Sequence, residues 1–145
     1  MDNVEHWCQS RKAGVRTHEL RDRLGNAMYG RVGVSRTAQG MTQALEEIER
    51  LKSEIPQIQV CDQQVFNLGL VDAKEVALMI DSAKTIATSA LIRKESRGAH
   101  YREDFPSTDY QNWTKHIVLE KKGEQLQHTL EPVKITRIKP PETKQ

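Results

Sequence analysis

Val71–Arg97 reads VDAKEVALMIDSAKTIATSALIRKESR, and its apolar residues recur at helical spacing. Val76, Leu78, Met79, Ile80, Ala83, Ile86, Ala87, Ala90 and Leu91 are expected to be buried along one long helix. The alanines at 73, 77, 83, 87, 90 and 99, with Ser82 and Ser89, suit close packing against neighbouring helices. Gly98 stands where a left-handed residue would close the helix. Apolar residues fall on more than one side (Val76, Leu78, Met79, Ile80), which points to burial on two sides.

Two further helices precede it. Leu20, Leu24, Ala27, Met28 and Val32 share one face of a helix that Thr17 is expected to cap, with Glu19 at its positive end. Gly25, Gly30 and Gly33 weaken that helix, and the Gly30–Ser35 stretch should break it. After Thr37 a second helix carries Met41, Ala44, Leu45, Ile48, Leu51 and Ile55 on one face. Glu46, Glu49, Arg50 and Lys52 occupy the other, and Pro56 stops it.

Beyond Gly98 the periodicity changes. His116–Glu120 and Gln125–Leu130 partly alternate, joined across Lys121–Glu124, and read as a β-hairpin. Val133–Ile138 is expected to continue it until Pro140-Pro141. The fold class is mainly α: a three-helix bundle of spectrin-repeat-like, up-down helices, followed by a charged turn and a small β-hairpin. Residues 1–15 read as an irregular lead-in, 16–98 as the bundle, 99–141 as the turn with hairpin and terminal strand, and 142–145 as a tail.

Composition narrows the function. The 145 residues suit one domain but are few for an enzyme that must also enclose a dinucleotide. With 22 basic and 20 acidic residues the formal charge is +2, and 29% of residues are charged. No stretch approaches the ~20 apolar residues of a membrane span, and the start lacks the apolar core of a signal peptide. Cys8 and Cys61 form neither a disulfide framework nor a CxxC knuckle. These features argue against a membrane-spanning protein, a disulfide scaffold, a zinc ribbon and a self-sufficient redox enzyme.

Other chemistries find little support. His6, His18, His100, His116 and His128 are scattered without the spacing of a metal site. No GxSxG marks a nucleophile turn. Residues 1–36 hold seven Arg or Lys (11, 12, 16, 21, 23, 31, 36) against four acids (2, 5, 19, 22), an excess of three. With a pI of 8.6 and acids returning in the second helix, nucleic acid is not an expected partner. The basic first helix is better read as meeting acidic groups or as solvated surface.

The densest chemistry is Arg93–Pro106, RKESRGAHYREDFP, where seven of fourteen residues are charged. Arg93 and Lys94 suit the negative end of a helix. Arg97, His100, Tyr101, Arg102, Glu103, Asp104 and Phe105 follow too closely for a plain helix end. They fit a structural turn held by Arg–carboxylate pairs under an aromatic lid. A dicarboxylate or phosphate contact by Arg97 and Arg102 is the competing reading.

ESRGAHYREDFP (Glu95–Pro106), followed by Asp109, Asn112, Trp113, Lys115 and His116, resembles the C-terminal domain of the succinate dehydrogenase/fumarate reductase flavoprotein subunit. L-aspartate oxidase is a more distant relative with a looser version. Leu20–Lys52 resembles the family's helix, VGV-type break and second helix, and Val133–Pro141 resembles its terminal strand and proline pair. The resemblance implies that an FAD domain and a capping domain of a larger protein hold flavin and dicarboxylate. It also implies that electrons pass to an iron–sulfur subunit.

The catalytic and flavin-linking motifs are not in this chain, and Gly25–Gly33 has the wrong spacing for a GxGxxG turn. This chain alone is therefore expected to hold no catalytic, cofactor-binding or metal residues. Glu95, Arg97, His100, Arg102, Glu103 and Asp104 are expected to form a structural and interface cluster. The expected location is cytoplasmic, with membrane association through partner subunits rather than direct insertion. A stand-alone module docking on a flavoprotein or its assembly factor is the alternative.

Overall fold

The computed structural model describes residues 14–60, 65–123 and 125–137. Cys8, Cys61, most of the expected lead-in, the Pro140-Pro141 ending and the 142–145 tail lie outside the described residues.

Helix α1 spans Thr17–Val32 and buries Leu20, Leu24, Ala27 and Val32. Arg16, with extended backbone, is its N-cap, so Thr17 begins the helix instead of capping it, and no side chain caps this end. The helix runs through Gly25 and Gly30 and breaks only at Gly33. A short strand β1, Ser35–Arg36, follows. Helix α2, Ala38–Glu54, starts as expected: the Thr37 hydroxyl accepts from the Gly40 N–H at 3.0 Å. Met41, Ala44, Ile48 and Leu51 are buried on its inner face. A 3-10 turn carrying Pro56, Ile55–Gln57, ends it, and Ile58 then pairs with Val15 in a parallel bridge.

Helix α3, Leu68–Ile92, begins three residues before the expected start, where the Asn67 side chain accepts from the Leu70 N–H at 3.0 Å. It ends five residues before Arg97. Gly98 is accordingly not its cap. It sits at φ 58° inside a two-residue turn closed by reciprocal Arg97–His100 backbone bonds of 2.8 and 3.0 Å, a position that favours glycine.

Strand β2, Tyr101–Arg102, pairs parallel with β1, placing Arg36 beside Arg102. The one-turn helix α4, Tyr110–Trp113, is capped by the Asp109 carboxylate. Strands β3 (Lys115–Lys122) and β4 (Gln125–Pro132) form an antiparallel hairpin with Lys122 opposite Gln125. The strands therefore extend into the stretch expected to be the turn. The expected strand after Pro132 does not form among the described residues. Val133 donates to the Thr114 carbonyl, and the chain before Thr114 is α4, so no strand is there to pair with.

The core lies where α1, α2 and α3 meet, with Leu20, Met41, Ile48, Leu51, Val76 and Ile80 fully buried. Each such side chain contributes about 1.5–3 kcal/mol relative to exposure. Ion pairs ring this core. Arg23 binds Glu47 at 2.9 Å and Glu54 at 2.7 Å, Arg21 meets Glu75 at 3.3 Å, Lys52 meets Asp81 at 3.3 Å, and Lys84 meets Glu49. The acids that the basic face of α1 meets thus come from α2 and α3. Such half-exposed pairs contribute about 0–1 kcal/mol each, so burial decides the fold.

One face of α3 departs from expectation. Leu78 is 67% exposed and Ile86 54%, and Met79 and Val71 are exposed beside them. The α3 residues inside the core are Ala73, Val76, Ile80, Ala83, Ala87 and Ala90. Its alanines let the helix pack closely on that side, so the larger Leu78, Met79 and Ile86 are left outside.

Candidate functional site

Extended backbone at Arg93 ends α3 and turns the chain into the charged segment. Glu95 is completely buried. It accepts from Arg93 Nη1 at 2.6 Å, Arg97 Nε at 2.8 Å, Arg97 Nη2 at 3.0 Å and the Asp109 N–H at 2.9 Å. Arg93 also donates to the carbonyls of Trp113 (3.2 Å) and Lys115 (2.7 Å), tying the end of α3 to the start of β3. The Arg97 and Arg93 guanidinium groups lie over the rings of Tyr110 and Trp113, at 4.7 and 5.3 Å from the centroids.

Arg102 forms the second centre and is 1% exposed. Its Nη1 donates to the carbonyls of Leu91 (2.8 Å), Arg93 (3.0 Å) and Ala90 (3.4 Å), which are among the orphan acceptors at the end of α3. Its Nε and Nη2 form a two-point pair with Asp104 at 2.8 and 2.5 Å, and Phe105 covers it at 4.8 Å. Asp104 in turn accepts from the Ala38 N–H at 3.1 Å at the start of α2. One guanidinium and one carboxylate therefore join the end of α3 to the beginning of α2.

Glu103 and His100 reach toward β1. Glu103 accepts from the Ser35 hydroxyl at 2.6 Å, and its N–H donates to the Arg36 carbonyl at 2.9 Å. His100 Nδ1 lies 2.8 Å from Arg36 Nη1. Arg36 is always protonated, so Nδ1 accepts and the neutral ring carries its proton on Nε2. That Nε2 is buried without a hydrogen-bond partner. Arg36 Nε donates to the Val32 carbonyl at 2.9 Å, at the end of α1.

The six expected residues thus fall into two arginine–carboxylate pairs, Glu95–Arg97 and Arg102–Asp104, with Glu103 and His100 directed at β1. Arg97 and Arg102 are both bonded to carboxylates of their own turn. Composition alone does not identify Arg93, Ser96, Arg36 and Asp109 as members. Ser96 is nearly buried; its hydroxyl accepts from the Arg102 N–H at 2.9 Å and donates to the Phe105 carbonyl at 2.7 Å. The alternation Arg93, Glu95, Arg97 is the one local signal, since i and i+2 share a side of an extended chain.

The electrostatics favour a fully ionised pair of carboxylates. Burial pushes Glu95 up, but hydrogen bonds from Arg97, the Asp109 N–H and Arg93 outweigh it and hold Glu95 below its ordinary range. The Arg102 hydrogen bond, opposed by burial and aided by the Ala38 N–H, holds Asp104 low as well. His100 is pushed down by burial and by Arg36, although the Arg93 carbonyl acts the other way. All three shifts make acid destabilising. The carboxylates stabilise the fold above their unfolded values near ~4, and that contribution is lost as pH falls through their folded values. Below about pH 6.5 the unfolded chain takes up a proton that the folded His100 resists, so stability falls there too. Thermal melts should show a shallow loss of stability from neutral pH downward and a steeper one below about pH 4.5. A domain that grew more stable between pH 7 and 4 would contradict the geometry.

Residues 21–145, which include the charged turn, the β1–β2 pair and the hairpin, match the family model described as the fumarate reductase flavoprotein C-terminal domain. The chain belongs to the succinate dehydrogenase/fumarate reductase flavoprotein family, as its C-terminal domain. One polypeptide of the CoM/CoB fumarate reductase of Methanothermobacter marburgensis is 38% identical over 79% of this chain and 21% of its own length. An uncharacterized FAD-dependent oxidoreductase of Methanocaldococcus jannaschii is 35% identical over 78% of this chain and 20% of that protein. E. coli quinol fumarate reductase FrdA shares the fold with a TM-score of 0.87 and 28% identity, over 96% of this chain and 24% of that one. The chain spans about a fifth of the length of the curated relatives it matches.

Helix α2 of this flavoprotein domain offers no cradle of the kind that holds an FAD pyrophosphate. A dinucleotide pyrophosphate is held by free N–H groups of a helix that follows a strand and a glycine-rich turn. Helix α2 follows β1 directly, but its first N–H groups are taken by Asp104 and by the Thr37 hydroxyl. Among the described residues no group of three His, Cys, Asp or Glu is placed to hold a metal ion, and no helix is long and apolar enough to cross a membrane.

Proposed function

We propose that the chain serves as the C-terminal helical domain of a succinate dehydrogenase/fumarate reductase-type flavoprotein. It packs on the FAD domain and supports succinate–fumarate oxidoreduction without holding the catalytic residues. FAD resides in the other domains of that protein, and electrons leave through an iron–sulfur subunit. Nucleic acid has no part in this reading, and any membrane association is made by partner subunits.

The exposed apolar face of α3 carries the reading. Val71, Leu78, Met79 and Ile86 recur about two turns apart, so they share one face of a helix whose opposite face already fills the core. The family's remaining length supplies the partner. The cluster from Glu95 to Asp104 fixes the turn beneath that helix and so orients the docking face.

The test is to mix the purified chain with the FAD and capping domains of a fumarate reductase flavoprotein lacking its own C-terminal domain. The chain alone should show no flavin absorbance and no fumarate reduction. The mixture should associate, and Leu78→Glu should weaken association about tenfold or more while leaving the melting temperature of the chain unchanged. A purified chain that carried flavin and reduced fumarate would overturn the proposal, as would association indifferent to Leu78→Glu.

A further inference from the structure

The buried and half-buried arginines follow a pattern with one exception. Arg21, Arg23, Arg93, Arg97 and Arg102 each have a carboxylate within 4 Å. Arg36, also half-buried, has none among the described residues. Its side chain meets the Val32 carbonyl and the His100 ring, and its remaining N–H groups have no acceptor among the described residues. The unbonded Arg36 Nη2 is not sealed from solvent, so an anion can reach this guanidinium, which has no counter-charge among the described residues.

Arg36 lines an open cleft of about 480 Å³ between the last turns of α3, β1 and the start of β3. Ser89, Arg93, His100 and His116 share its walls, Ile86 and Ile117 supply apolar sides, and no carboxylate lines it. Arg93 is already committed to Glu95 and two carbonyls, so the uncompensated charge in the cleft belongs to Arg36. Ser89 offers a hydroxyl from α3, and exposed His116 an imidazole from β3.

We propose that this cleft is a binding site for a small oxyanion, held by the Arg36 guanidinium with Ser89 and His116 as flanking donors. With Nε on the Val32 carbonyl and one Nη1 N–H on His100, Arg36 keeps its Nη2 N–H groups and the second Nη1 N–H to donate to the oxygens of a phosphate or a carboxylate. Binding is linked to His100. The charged or titratable groups around that ring are Arg36 from β1, Arg93 after α3, Arg102 from β2 and His116 from β3. An anion beside Arg36 offsets the repulsion that disfavours a second positive charge on His100, so occupancy raises the pH at which the ring takes up its proton. This inference does not depend on docking to an FAD domain.

The test titrates the 145-residue chain with inorganic phosphate, and separately with acetate, at constant ionic strength set by chloride. The His100 ring resonances are followed by NMR. Saturable shifts, an upward move of the His100 titration midpoint, and about tenfold or greater weakening in Arg36→Gln are expected. Arg36→Lys should retain part of the affinity and serves as the folded control. Tighter phosphate binding would assign the site to phosphate-bearing ligands, and tighter acetate binding to carboxylates. Shifts no larger than those from chloride, or binding unchanged in Arg36→Gln, would overturn the proposal.

Discussion

Arg102→Met is expected to lower the stability of the domain by about 3–5 kcal/mol, the range for removing one partner of a buried ion pair. The guanidinium is 1% exposed and serves two helices at once. Without it, the carbonyls of Ala90, Leu91 and Arg93 lose the donor that replaces continuation of the helix. Each buried, unsatisfied acceptor costs about 1–3 kcal/mol, although the three share one guanidinium and their losses do not add. Asp104 keeps its bond to the Ala38 N–H but loses both guanidinium contacts. Methionine keeps the apolar stem of arginine but not the guanidinium, so the lost hydrogen bonds are accompanied by some unfilled volume. The urea midpoint should fall by about 2 M with an unchanged m-value. Arg102→Lys should recover only part of this, because an ammonium cannot reach the helix carbonyls and grip Asp104 at two points together. A loss below about 1 kcal/mol in Arg102→Met would mean that water satisfies the end of α3 and that the turn is not its cap.

This contact explains where sequence reading stops. Helix α2 is legible at both ends, because its cap Thr37 and its stop Pro56 adjoin it and its apolar face follows one stripe. The end of α3 is not legible, because the group that ends it is ten residues downstream, across a turn that must form first. Gly98 supplied a plausible local stop, yet its left-handed backbone serves the Arg97–His100 turn. Leu78, Met79 and Ile86 misled for another reason: periodicity identifies apolar faces, not which of two the same chain covers. The hairpin extends past its apolar alternation because Lys121 and Lys122 pair at its exposed end without contributing to that pattern. In the turn, residue types point to Arg–carboxylate pairing, while the partners themselves, Glu95 with Arg97 and Arg102 with Asp104, are set by the fold. Links to Asp109, Ala38 and Arg36 depend on tertiary approach and leave no spacing to find.

Glu95→Gln is expected to cost about 3 kcal/mol at neutral pH, at the lower end for breaking a buried ion pair because one of its arginines reaches solvent. Glutamine matches glutamate in shape, so the change isolates charge. The carboxylate is wholly buried and receives only donors: two from Arg97, one from Arg93 and the Asp109 N–H. An amide can present one oxygen to them, but its NH₂ must then face other N–H groups. Arg93, 18% exposed, is left with little water, whereas Arg97 at 36% can turn outward and recover some solvation. The two arginines should therefore respond differently in double-mutant cycles. Coupling of Glu95 to Arg93 should exceed coupling to Arg97, with both in the range of about 0.5–3 kcal/mol. The pH dependence separates charge from packing. Glu95 stabilises the fold only while ionised, so its advantage over glutamine should be complete above its unfolded value near ~4.3 and shrink as pH falls through its lower folded value. A difference between the two proteins that stayed constant from pH 7 to 3 would assign the cost to shape and reject the charge-centred account of the turn.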